Sequence, residues 1–231
     1  MQFVGAVGDD PASEQLRAHL NANGVGTDGL IALSGPSGNA VVVVDSSGEN
    51  IIVVAPGANG QLTLESASLR RLVADCDVLL LQLEIPVATA TAAAREAHSA
   101  GVTVILNASP SGGDEAELAQ LAEVTDVLVV NETEAAQWFW PVPHQVITRG
   151  AGGASYTGDG AEFTVAAPAV DALDTSGAGD VFAGVLAAGW ATDRDQALRR
   201  ACAAGALATL IPGAGNCAPY AEAIDEATLP H

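Results

Sequence analysis

The stretch Asp174–Asp180, DTSGAGD, places three small residues between a Thr-Ser pair and an aspartate, and an apolar run, VFAGVLAAGW, follows at once. A helix starting near Ala178–Asp180 would bury Phe182, Val185 and Leu186 on one face and leave its first backbone N–H groups without intrahelical partners. Gly177 and Gly179 allow close backbone approach, so those N–H groups and the helix dipole could form an anion site. Asp180 would repel an anion there. Two readings stay open for it: a general base that takes a proton as a hydroxyl attacks phosphorus, or a first-turn acid that complements the dipole. This stretch matches neither GxxxxGK[ST] nor GxGxxG. The chain contains no lysine, so phosphate chemistry would depend on backbone donors, arginine or a metal.

The elements that must hold this turn follow from the apolar pattern. Short β-branched runs at 77–83, 102–107, 126–131 and 145–150 predict strands buried on both faces. Helical patterns separate them at 87–100 and 114–123, with another at 195–210. This alternation implies βαβ units and a parallel sheet. FVGAVG opens the chain as a strand. Residues 11–23 form a helix with Leu16 and Leu20 at i, i+4. Residues 40–55 predict a β-hairpin turning at Ser46–Gly48, a small appendage able to cover a site.

Ligands in open α/β sheets bind beyond the carboxyl ends of the strands. The polar residues there are Gln82, Glu84, Asn107, Asn131, Glu132, Glu134, Thr148 and Gly150. Each could merely cap the following helix; NETEA has the form of a capping box with Asn131 as N-cap and Glu134 at N3. Their arrival together at successive strand ends favours a site.

A chain of 231 residues suits one large α/β domain, or a domain with a small appendage. Its net charge is −20, from 28 acids against 8 bases, all of them arginine. That balance argues against nucleic acid and anionic membranes as partners. Cys76, Cys202 and Cys217 form no CxxC pair, and reduced thiols point to the cytoplasm. The four histidines are scattered and suggest no metal cluster. The opening MQFVGAVGDD does not have the form of a signal peptide.

With the segments VGAVGDDPASEQLRAHLNANGV, VVVVDSSGENIIVVAPGAN, LLLQLEIP, LNASPS, NETEA, ITRGAGGASY and DTSGAGDVFAGVL in this order, the chain resembles the ribokinase-type members of the PfkB carbohydrate kinases. The resemblance implies a three-layer α/β sandwich with a mostly parallel central sheet, a core from 1–26 and 58–231, and a small β lid within 27–57. It implies ATP-dependent phosphorylation of the primary 5-hydroxyl of D-ribose. Asp180 would be the base, and the backbone of Gly177, Ala178 and Gly179 the anion hole. Asn131, Glu134, Thr148, Gly150 and Cys202 would serve ATP and its Mg2+ shell, and Glu84 would touch the sugar. Asp174, the Ser176 carbonyl, and carbonyls near Ala208, Ile211 and Gly213 would hold an activating K+, with Cys217 where a serine is common. A homodimer through the lid is implied as well.

Two departures qualify this resemblance. The family's first strand and its GGKGAN loop, roughly forty residues, would precede Met1, so a sheet edge is expected to lie open where that strand belongs. The connection from Asn131 to the next strand is short, and Trp138, Phe139 and Trp140 are expected to patch apolar surface there. The alternatives are a shortened, non-catalytic homologue that binds nucleotide or acts as an assembly subunit, and a PfkB-type kinase for another sugar or nucleoside.

Overall fold

The computed structural model describes residues 1–44 and 50–229. Its centre is a six-stranded sheet of β5 (Val78–Leu81), β6 (Thr103–Asn107), β7 (Val127–Asn131), β8 (His144–Thr148), β9 (Ala154–Gly158) and β10 (Ala161–Val165), in that spatial order. The pairings from β5 to β8 are parallel, and β9 and β10 add antiparallel to β8. The β9–β10 hairpin turns at Asp159 and Gly160, both at positive φ, as a two-residue primed turn requires.

Because side chains alternate along a strand, the apolar runs feed two cores. Val104, Leu106, Leu128 and Val130 meet α2 (Ala67–Ala74), α3 (Val87–Ser99) and α4 (Glu115–Ala122) on one face. Ile105, Val127, Val129 and Val146 meet α6 (Ala178–Gly189) and α7 (Arg194–Ala208) on the other. This is the three-layer α/β sandwich expected. The chain closes with α8 (Ala221–Ala227), packed on α7.

β1 (Gln2–Val7) and β2 (Gly26–Ala32) form a separate two-stranded parallel sheet, joined by α1 (Pro11–Ala22). β2 therefore lies inside the range expected for the lid but pairs with the opening strand. Val4 and Ile31 pack against the same apolar cluster as Leu81, yet β5 and β1 are not paired with each other. Each keeps one open edge, and Val78, Leu79 and Leu80 are only half-buried. α1 forms where expected, capped by Asp10, but buries no residue, and Leu16 is 47% exposed.

The hairpin has β3 (Asn39–Val44) antiparallel to β4 (Asn50–Ala55); its expected turn at Ser46–Gly48 lies outside the described residues. Val41, Val53 and Val54 are exposed on it. Among the described residues, no helix is long and apolar enough to cross a membrane.

Candidate active site

The glycine-rich turn starts α6 as its sequence suggests. Gly177 is the N-cap at φ 76°, and a Cβ on it would stand 2.9 Å from the Ala214 Cα. Only glycine meets both conditions without strain. No side chain caps this helix start, so the first-turn amides of Gly179 and Asp180 lie open at the positive end of the dipole. The Ala178 N–H leans back to the Thr175 carbonyl at 3.3 Å.

The helix is anchored behind that turn. Phe182 and Leu186 are buried in the α6–α7 core, each contributing about 1.5–3 kcal/mol of burial. Gly205 of α7 brings the two helices close: a Cβ there would reach the Ala178 carbonyl at 3.3 Å. The exposed turn therefore rests on a close-packed support.

Asp180 is exposed in the first turn of α6, and its Oδ1 accepts a hydrogen bond from Gln82 Nε2 at 2.6 Å. Gln82 follows β5, so this bond ties the carboxyl end of a central strand to the helix start. Among the described residues Oδ2 has no donor. Glu84, two residues beyond Gln82, is exposed on the same strand-end loop.

Asp174 organises the opposite side of the turn. Its Oδ1 accepts from Ser176 N at 2.9 Å and its Oδ2 from Gly213 N at 2.8 Å. The Gly213 amide, then Ser176, holds this carboxyl below its ordinary value. The Thr209 carbonyl accepts from Leu173 and Asp174 N–H groups, and the buried Cys217 thiol lies against the carbonyls of Ser176 and Ala214. Loops 173–177 and 209–217 are thus one unit. Both Asp174 oxygens are engaged by backbone amides of this unit, and the Ser176 carbonyl faces the Cys217 thiol. The Ala208 carbonyl instead accepts from Ile211 N at 3.3 Å.

The remaining strand-end residues line up along β7 and β8. Asn131 and Glu134 make a full capping box at the start of α5 (Glu132–Ala135): Asn131 Oδ1 accepts from Glu134 N and Glu134 Oε2 from Asn131 N, each at 2.8 Å. Thr148 and Asn131 are register partners. Thr148 Oγ1 points to the Val130 carbonyl at 3.4 Å, and Gly150 follows at φ 52°.

Cys202 sits on α7. It is 4% exposed in the α6–α7 core, its thiol against the Val165 carbonyl, and burial pushes its pKa up to about 11. An alanine-rich helix offers little contrast between faces, so sequence alone gave no means of seeing which way Cys202 turns. Gln82 is the converse case. It stood among the strand-end residues without a role, and no local signal joins it to an aspartate 98 positions away.

A family model described as pfkB family carbohydrate kinase matches residues 1–221. Ribokinase of Bacillus subtilis is 31% identical over 237 residues, spanning 97% of this chain and 80% of that protein. Ribokinase of Schizosaccharomyces pombe is 30% identical over 211 residues, which is 80% of this chain but 65% of the relative's length. The Arabidopsis thaliana ribokinase solved with ribose and ATP superimposes with a TM-score of 0.88 at 27% identity, over 98% of this chain and 81% of that one. The chain belongs to the pfkB family of carbohydrate kinases.

Proposed function

We propose that the protein transfers the γ-phosphoryl group of ATP to the primary 5-hydroxyl of D-ribose. The observation that carries this reading is the placement of Asp180 beside an uncapped helix start, with one carboxylate oxygen held by Gln82 and the other without a donor among the described residues.

In this reading Oδ2 of Asp180 accepts the hydroxyl proton as the sugar oxygen attacks the γ-phosphorus. The bond from that phosphorus to the β–γ bridging oxygen breaks, and ADP leaves with its electron pair. The glycine-rich turn Gly177–Gly179, with the Gly179 amide open, meets the charge that develops on the transferring group. It matters more in a chain of net charge −20 without lysine, where the overall field opposes ATP. Asn131, Glu134, Thr148 and Gly150, on the ends of two adjacent parallel strands, would line the nucleotide side, and Glu84 the sugar side.

Magnesium at Glu134 and Asn131 would supply charge neutralisation between the phosphates, once their capping bonds give way or water intervenes. The Asp174 loop would hold a monovalent cation behind the anion hole and so fix its geometry. The exposed valines of β3 and β4 suit a dimer through the lid.

The test is ADP release measured over a panel of pentoses, hexoses, nucleosides and phosphorylated pentoses. Turnover highest with D-ribose supports the reading. Turnover with another acceptor and none with ribose overturns its substrate, and ATP binding with no turnover on any acceptor overturns the activity.

A further inference from the structure

A second cavity, of about 250 Å³, opens on the α4 side of the sheet, and its lining combines aromatic rings with carboxylates. Trp138, Phe139 and Trp140 form one wall and Glu115 and Glu134 contribute acids. Neither lysine nor any of the chain's arginines lines it.

The rings stand as a corner rather than a stack. Trp138 and Trp140 have centroids 5.2 Å apart at 81°, and Phe139 and Trp140 6.3 Å apart at 65°. The Trp138 indole N–H is committed to the Trp140 carbonyl at 2.9 Å, so this wall offers π faces more than donors. Phe139 is 76% exposed, so its ring is accessible from solvent.

The acids sharpen the chemistry. Glu134 is nine-tenths buried, and its Oε2 takes the Asn131 N–H; its Oε1 has no donor among the described residues. Glu115 is exposed at the start of α4. The amides of that helix start, which could draw an anion, are already occupied: Asp114 Oδ1 accepts from Ala116 N at 2.9 Å and Glu117 N at 3.1 Å. An anion would therefore meet two carboxylates and no cation. An organic cation would meet π faces and negative charge together, the pairing that recognises ammonium groups.

We propose that this cavity binds a small organic cation with an ammonium head. Glu134 is shared with the nucleotide side of the phosphoryl-transfer reading, whereas the aromatic corner and Glu115 have no role in that reading.

The probe is choline, titrated into the whole chain while tryptophan fluorescence is followed, with sodium chloride at equal ionic strength as control. Its neutral isostere 3,3-dimethylbutan-1-ol is run beside it. A saturable response to choline and none to the alcohol is expected. Phe139→Ala and Glu115→Gln both change exposed residues, so each should keep the native circular dichroism spectrum. Each is expected to weaken choline binding about fivefold, and Asp180→Asn to leave it unchanged. Equal responses to choline and the alcohol, no saturable response to choline, or wild-type affinity in both variants would overturn the proposal.

Discussion

Gln82 Nε2 donates to Asp180 Oδ1 at 2.6 Å, joining the end of β5 to the first turn of α6 across 98 residues. The bond orients a carboxylate that sequence position alone would leave free to rotate on the surface. Gln82→Ala is therefore expected to lower kcat about tenfold with little change in the KM for ATP. Both partners are accessible to solvent, so stability should shift by less than about 0.5 kcal/mol. Gln82→Glu would face one carboxylate with another and should lower kcat at least as far. Unchanged kcat in both variants would remove Gln82 from the account.

The two glycines of the turn should separate backbone strain from ligand contact. Gly177→Ala meets a positive φ and the Ala214 backbone, and should destabilise the fold by about 1–3 kcal/mol. Gly179 has no neighbour within 4 Å of a built Cβ and no positive φ. Gly179→Ala should keep the thermal midpoint within about 2 °C and still lose turnover, because its methyl group intrudes on the anion site. Thermal melts and steady-state rates on the same preparations check both. Equal melting temperatures for the two variants would contradict the geometry.

Most of this scaffold was legible in the sequence. Continuous β-branched runs marked the four parallel strands, and Asn131 with Glu134 marked a capping box that forms as read. The β9–β10 hairpin was missed although Asp159–Gly160 is a strong turn signal. β2 falls within the range read as lid and pairs with β1, a contact between segments that no local pattern announces. Leu16 and Leu20 gave the right helix, but helical spacing cannot show that no layer covers it. The site was less legible, since Gln82–Asp180 and the loop unit around Asp174 arise from contacts distant in sequence.

The separation of β1 and β2 from the main sheet has a measurable consequence. β5 is an edge strand in a position whose residues are as apolar as those of an inner strand. Amide hydrogen exchange across Val78–Leu81 should be at least about tenfold faster than across Val127–Val129, which are buried and paired on both sides. Equal protection in the two strands would show that β5 is covered in solution.

His144 sets a pH dependence that is structural rather than catalytic. It is buried, with Nδ1 2.9 Å from the Tyr156 hydroxyl and Trp190 against its ring. Burial, then the Arg194 charge, lowers its pKa below 6.5, against smaller opposing effects of Asp159 and Asp126. As pH falls through 6.5 the unfolded chain takes up a proton that the folded chain refuses, so stability falls until the lowered folded value is passed. His144→Gln should flatten the pH dependence of urea midpoints across this window. An unchanged slope would contradict it.

The central claim is that Asp180 is the base for phosphoryl transfer, and ADP release by Asp180→Asn tests it most directly. Asparagine keeps the size and can still pair with Gln82, but it cannot take the hydroxyl proton. The expected result is a fall in kcat of about 10²–10⁴-fold with ATP binding retained by calorimetry. Turnover undiminished by that single substitution would contradict the account.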